Sequence, residues 1–213
     1  MKVDSFANKA YSEIRRKILS SQILPNTRLK EDAWAQKLTV GRMAVREALT
    51  RLLGEGLVIQ GEKGGFYIAA LNKNDIEEIR ELRQILEVGA LELCIQKITK
   101  SQIKLLEKIC DDFTAMTDQG YFGGACEADI KFHEALVEYS GNSKLISIYR
   151  YSHIPLFHKK LGKTEVFLND YEQTSTEHRQ LVNALKTKNI ALAKKTLIQH
   201  FERGATAVLE LDE

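Results

Sequence analysis

The sequence predicts a mainly α-helical protein. An N-terminal winged helix-turn-helix (three helices plus a short β-hairpin) is joined to an all-α bundle of six or seven helices. Three observations predict this. The run Leu38-Thr39-Val40-Gly41-Arg42-Met43-Ala44-Val45-Arg46 continues to Leu53 and sets a short turn before an amphipathic helix. Two β-prone runs, Leu57–Gln60 and Phe66–Ala69, flank the turn Gly61-Glu62-Lys63-Gly64-Gly65. From Ile76 onward, apolar residues recur at helical spacing, with breaks at Gly120, Gly141-Asn142, Gly162 and Asn189.

Composition bounds the function class. A chain of 213 residues makes one domain or two, with room for a real core. Only two prolines, Pro25 and Pro155, and few aromatics favour helices over a β-sandwich. No apolar run approaches the ~20 residues that span a bilayer. Met1–Ala10 is polar and mixed, without a signal-peptide pattern. Three scattered cysteines (Cys94, Cys110, Cys126) form no CxxC pair, which points to reduced, mostly buried thiols in a cytoplasmic protein. Charge is uneven. Lys and Arg outnumber Asp and Glu by 12 to 7 in residues 1–71 and are outnumbered 19 to 22 in residues 72–213. A basic first third suggests a nucleic-acid module, residues 1–71, joined to a second domain, residues 72–213.

In the first domain, a helix over Ala7–Ser20 turns Tyr11, Ile14, Ile18 and Leu19 inward. Pro25-Asn26 breaks the chain. A second helix over Lys30–Leu38 turns Trp34, Ala35 and Leu38 inward. The third runs from Arg42 to Glu55, with Gly54 and Gly56 bracketing its end. Val45, Ala48, Leu49 and Leu52 share one face of it. Arg42 and Arg46, four apart, project together from its N-terminal half, the end that enters a major groove in such folds. An arginine can hydrogen-bond guanine O6 and N7 or clamp a phosphate. An amphipathic surface helix with solvated arginines fits the same spacing. Lys63 and Gly65 mark the wing, and Arg16 and Lys37 are further candidate phosphate contacts.

In the second domain, Asn74 with Glu77 three residues on fits a capping box. Ile76, Ile79, Leu82, Ile85, Leu86, Val88 and Leu91 form the apolar stripe of the first helix. Further helices read as 101–117, 123–139, 142–160, 167–187 and 189–210. Asp129 and His133 lie four apart and point from one face. His178 precedes Leu181 and Val182 by three and four, and His200 follows Leu197 by three, so both face inward. One carboxylate and three imidazoles suit Zn²⁺, Ni²⁺ or a similar divalent ion. Core histidines satisfied by hydrogen bonds fit the spacing equally. His153 and His158 read as surface or packing residues. Arg83 sits beside the apolar stripe and needs a partner, either Glu87 at i+4 or a bound organic acid.

These pieces together resemble the GntR family of bacterial transcription regulators, in the FadR-like branch with an FCD effector domain. The likeness runs through Pro25, Leu29, Glu31, Val40, Arg42, Val45-Arg46-Glu47-Ala48-Leu49, Arg51-Leu52 and Glu55-Gly56-Leu57-Val58. It continues in Leu82-Arg83, Leu86-Glu87, Asp129-x-x-Phe132-His133, Gly141-Asn142, Glu177-His178, Leu181, Ala184-Leu185 and His200. The resemblance implies a homodimer that binds a pseudo-palindromic double-stranded operator. It implies that Asp129, His133, His178 and His200 ligate a divalent ion, Zn or Ni. It also implies that a small carboxylate effector binds there and controls operator affinity, with Arg83 as its counter-charge. It implies no enzyme and no membrane. The alternative is a metal-dependent hydrolase or lyase fused to a DNA-binding module, since three histidines and an aspartate can activate water.

The chain departs from the family pattern at several positions. Gly41 stands where Ser or Thr caps the recognition helix, a substitution costing about a few tenths of a kcal/mol. Met43-Ala44 replaces Thr-Pro, and Met43 cannot hydrogen-bond a phosphate. Trp34 stands for Leu, and Gly64 for the wing Arg. The DNA-contact set therefore centres on Arg42 and Arg46.

Overall fold

The first unit ends at Leu71 and the second begins at Asn72. The computed structural model describes residues 5–19, 22–70, 72–152 and 165–209. His153, Pro155, His158, Gly162, Ser20 and the side chain of Leu19 lie outside the described residues.

The first unit runs α1 (Phe6–Leu19), β1 (Arg28–Leu29), α2 (Glu31–Leu38), α3 (Arg42–Gly54), β2 (Val58–Gln60) and β3 (Phe66–Ile68). Val45, Ala48, Leu49 and Leu52 form the buried face of α3, with Ile14 and Ala10 of α1 also fully buried. Thr39 closes α2 in the left-handed conformation at φ 53°. That sharp stop sets the short turn into α3. The expected two-stranded hairpin is a three-stranded antiparallel sheet in the order β1-β3-β2. The additional strand is β1. The Asn26 N–H donates to the Ile68 carbonyl and the Ile68 N–H to the Thr27 carbonyl, both at 3.0 Å, so the free edge of β3 is paired. Two residues are too few to carry an alternating pattern, which is why sequence did not reveal β1. At the wing, Gly64 and Gly65 hold φ of 79° and 88°, a region L side chains rarely adopt. Tyr11, Ile18, Ala35 and Leu38 are half-buried rather than core. The Tyr11 ring lies under the Arg51 guanidinium, and its hydroxyl donates to Glu55 at 2.5 Å, which keeps it at the rim.

The second unit contains six helices among the described residues: α4 (Lys73–Lys97), α5 (Lys100–Asp118), α6 (Phe122–Tyr139), α7 (Ser143–Tyr151), α8 (Glu165–Lys186) and α9 (Ile190–Leu209). The capping box of α4 is Asn72 with Asp75, two residues before the expected Asn74 and Glu77. Asn74 lies inside the helix and donates its side-chain amide to Glu78. Leu82 and Ile85 are exposed, at 38% and 73%, against the expected stripe. The inward line of α4 is Ile76, Arg83, Glu87, Ala90, Leu91 and Cys94, so two charged residues occupy core-facing positions. They satisfy one another, which is what permits the helix to rotate that way. Leu91, Leu106, Phe132, Leu136, Leu181, Leu185 and Leu197 are fully buried in one cluster drawn from α4, α5, α6, α8 and α9. Gly124 lets the start of α6 approach closely: a Cβ there would meet the Tyr121 ring and Met116 Sδ inside 3 Å. Cys94, Cys110 and Cys126 are buried free thiols, and burial pushes each of them up.

Candidate metal centre and nucleic-acid interface

Three helices of the second unit bring four donors together. Asp129 and His133 come from successive turns of α6, His178 from α8 and His200 from α9. All four residues are buried, and one ligand atom from each lies within 4.8 Å of the others. His133 Nε2 is 3.2 Å from His200 Nε2 and 3.6 Å from Asp129 Oδ1. His178 Nε2 is 3.2 Å from Asp129 Oδ1. Two nitrogens on one zinc, each about 2.0–2.1 Å from it, sit roughly 3.3 Å apart. The two 3.2 Å separations therefore match those between ligands of a single ion, and the wider ones would have to close slightly around it.

Protonation supports the fit. His133 Nδ1 lies 2.6 Å from Glu87 Oε2, and His200 Nδ1 lies 2.8 Å from Glu177 Oε2. Burial pushes the Glu87 carboxyl up, but Arg83 and His133 outweigh it and hold the group at about 2. An ionised carboxylate only accepts, so the His133 Nδ1–H donates. Glu177 accepts from Arg203 on both oxygens, so the His200 ring donates there as well. With Nδ1–H on both, the two rings, whenever both are neutral, turn bare Nε2 lone pairs toward each other. That arrangement calls for a cation or a proton between them. Burial pushes His200 down to about 4 and lowers His178, which keeps both as neutral bases. For His133, burial lowers the pKa, but the Glu87 charge wins and raises it. His178 Nδ1 is buried without a hydrogen-bond partner, and the polar neighbour of its Nε2 is Asp129.

Around the donors, Arg83 Nε donates to Glu87 Oε1 at 2.8 Å, and the Tyr149 hydroxyl donates to the same oxygen at 2.9 Å. The Arg83 guanidinium lies 4.5 Å over the Phe201 ring. Among the described residues its Nε is its only hydrogen-bonding nitrogen, which leaves the two Nη nitrogens without a partner there. Arg203 is different. It donates to Glu177, Thr174 and Asp170 and has little left to offer. Sequence reading quoted Glu177 without giving it a role and missed Arg203 and Tyr149. Arg203 carried a usable signal, since it lies three residues after His200 on one helical face. Tyr149 carried none.

In the first unit, Arg42 and Arg46 are both exposed at the start of α3. Arg42 Nε donates to Glu31 at 2.7 Å and approaches Asp32 at 3.5 Å, and these partners raise its pKa. Arg46 Nε lies 3.9 Å from Glu31. Lys63 and Gly65 lie in the turn between β2 and β3. Lys37 Nζ sits 4.8 Å over the Trp34 ring, and Arg16 pairs with Glu13 on its own helix at 2.7 Å. Arg28 was missed. It is exposed on β1, its guanidinium packs beside Gly65 and lies 5.9 Å from the Tyr67 ring centre, so it adds a cation at the base of the wing.

A winged helix-turn-helix with exposed arginines on its third helix, joined to an all-helical unit, defines a DNA-binding transcription regulator. Residues 6–68 match the profile of the bacterial regulatory proteins of the gntR family, and residues 78–203 match the FCD domain. The chain belongs to the GntR family of bacterial regulators, with an FCD effector domain as its second unit. It is 29% identical over 198 residues to the uncharacterised HTH-type transcriptional regulator YdhC of Bacillus subtilis, covering 90% of this chain and 85% of YdhC. Its fold is similar to that of E. coli McbR/YncC, with a TM-score of 0.79, 17% identity, and coverage of 98% and 99% of the two chains. It is also similar to the metal-free FCD domain of TM0439, with a TM-score of 0.53, 23% identity, and coverage of 67% and 96%. No helix among the described residues is long and apolar enough to cross a membrane.

Proposed function

We propose that the chain is a cytoplasmic, homodimeric regulator whose affinity for a pseudo-palindromic operator is set by a small organic acid at a metal site. The observation that carries this is the meeting of the His133 and His200 Nε2 atoms at 3.2 Å within a buried Asp/His₃ group. Asp129, His133, His178 and His200 would hold Zn²⁺ or Ni²⁺. The ion would supply a positive charge to which a carboxylate oxygen can bind. Arg83, held by the Glu87 that also holds His133, has no Nη hydrogen bond among the described residues and would take the other oxygen of the acid. Arg42 and Arg46 contact bases or phosphates, with Lys63, Gly65, Arg16, Lys37 and Arg28 as backbone contacts. Arg16 must first leave Glu13 to do so. The acid acts by binding one arrangement of the dimer better than the other.

The hydrolase or lyase reading is less well supported. A general base near the metal has to be unoccupied, and Glu87 and Glu177 are each committed to a histidine and an arginine. Elemental analysis of untagged protein purified without chelator tests the metal. About one zinc or nickel per chain is expected, with loss in a His178→Ala/His200→Ala variant. Operators selected from random duplexes then report whether small carboxylates release DNA in a metal-dependent way. Unchanged operator affinity across a broad panel of acids would refute the switch.

A further inference from the structure

Two of the three histidines are held from behind by a carboxylate, and the third is not. Glu87 takes the Nδ1–H of His133 and Glu177 that of His200. His178 has no such partner. It is kept in place by stacking on Phe132, with centroids 4.0 Å apart and planes 12° from parallel, and by an edge contact with Phe113. Each carboxylate is itself gripped by an arginine, Glu87 by Arg83 and Glu177 by Arg203.

We propose that Glu87 and Glu177 are positioning residues of the metal site, which fix the tautomers of His133 and His200 so that both aim bare Nε2 atoms at the ion. The proposal rests on the metal reading above. A neutral imidazole has two tautomers, and the one protonated on Nε2 cannot ligate through that atom. An acceptor fixed at Nδ1 removes that form before a metal arrives and makes Nε2 more basic. His178 has no acceptor at Nδ1, and its Nε2 lies 3.2 Å from Asp129 Oδ1, so nothing behind the ring holds it in the Nδ1-protonated form.

The two carboxylates have different loads. Glu87 Oε1 serves Arg83 and Tyr149 while Oε2 serves His133, so its loss also strands a buried arginine. Glu177 is the cleaner probe, because Arg203 keeps Asp170 and Thr174 as partners when Glu177 is gone.

The test uses the full chain, wild type and the variants Glu177→Ala and Glu177→Gln. Zinc affinity is read by competition with a chromophoric chelator, and histidine tautomers by long-range ¹H–¹⁵N spectra of the metal-free proteins. The expected result is a tenfold to hundredfold weaker zinc affinity for Glu177→Ala. Glu177→Gln keeps an acceptor without the charge and should fall between. The His200 ring should be Nδ1-protonated in the wild type and a mixture in Glu177→Ala. A purely structural Glu177 would lower the melting temperature and leave that tautomer unchanged. Zinc held by both variants as tightly as by the wild type overturns the proposal, as does an Nε2-protonated His200 in the wild type. If Glu177→Ala does not fold, the near-isosteric Glu177→Gln carries the comparison. A wild type that takes up no zinc overturns the metal reading instead, a separate and recognisable outcome.

Discussion

Two arginine–glutamate pairs in this chain have the same chemistry and opposite surroundings. Arg42 and Glu31 meet at 2.7 Å with the arginine side chain 62% exposed. Arg83 and Glu87 meet at 2.8 Å with side-chain exposures of 8% and 0%. Water screens the first pair, so breaking it loses little and Arg42 can be handed over to DNA. The second pair is desolvated, so neither partner can leave without stranding a buried charge. The surface pair suits a contact that forms and dissolves. The buried pair suits a framework that must keep its shape while a ligand comes and goes.

The largest expected effect breaks the buried pair. Glu87→Ala leaves Arg83 desolvated without its carboxylate and should destabilise the chain by about 3–5 kcal/mol in urea unfolding. The double variant Arg83→Met/Glu87→Leu should recover the part of that stability lost to the stranded arginine, but not the part lost when His133 and Tyr149 have no acceptor. Glu31→Ala should leave the unfolding midpoint close to the wild type. If Glu87→Ala also proved silent, the contrast between the two pairs would collapse.

Next in size is the loss of a DNA contact. Arg42→Ala or Arg46→Ala should weaken operator binding roughly tenfold to a hundredfold if the arginine reads a base. If it holds a phosphate, the slope of log affinity against log salt should shrink by about one, equally on all sequences. Metal content should be unchanged in both variants. Anisotropy titrations across salt concentrations distinguish the two roles.

The pH response sharpens the comparison further. The folded-state pKa of Glu87, about 2, lies below its ordinary 4.5. A depressed carboxylate contributes stability that is present above the unfolded value and lost as pH falls toward the folded one. The stability gap between metal-stripped wild type and Glu87→Gln should therefore be full at pH 7 and narrow from about 4.5 downward. A gap constant to pH 3 in urea midpoints would contradict the geometry.

The smallest effect belongs to the surface of the first unit. Gly41 caps α3 without a side-chain hydrogen bond, its φ of −71° suits any residue, and a Cβ would meet nothing within 4 Å. Gly41→Ser should raise stability by about a few tenths of a kcal/mol, readable as a small rise in melting temperature.

Sequence by itself determined the helix-turn-helix and the wing, and put Asp129, His133, His178 and His200 in view as a candidate donor set. Local spacing carries those features: a turn before a 3.6-period face, glycines that allow positive φ at Gly64 and Gly65, and Asp129 and His133 one turn apart on α6. It also put both partners of the Arg83–Glu87 pair in view, at i and i+4. Tertiary structure alone decided that this pair is buried, because the rotation of α4 is set by what α6, α7 and α9 offer it. For the same reason Leu82 and Ile85 face outward. Only the folded chain brings Glu177 of α8 behind His200 of α9 and Tyr149 of α7 onto Glu87. It alone lays β1 along β3, where two residues gain their strand from a neighbour's free hydrogen bonds. Periodicity records which face of a helix is apolar. Which polar groups that face can also bury depends on partners far away in the chain.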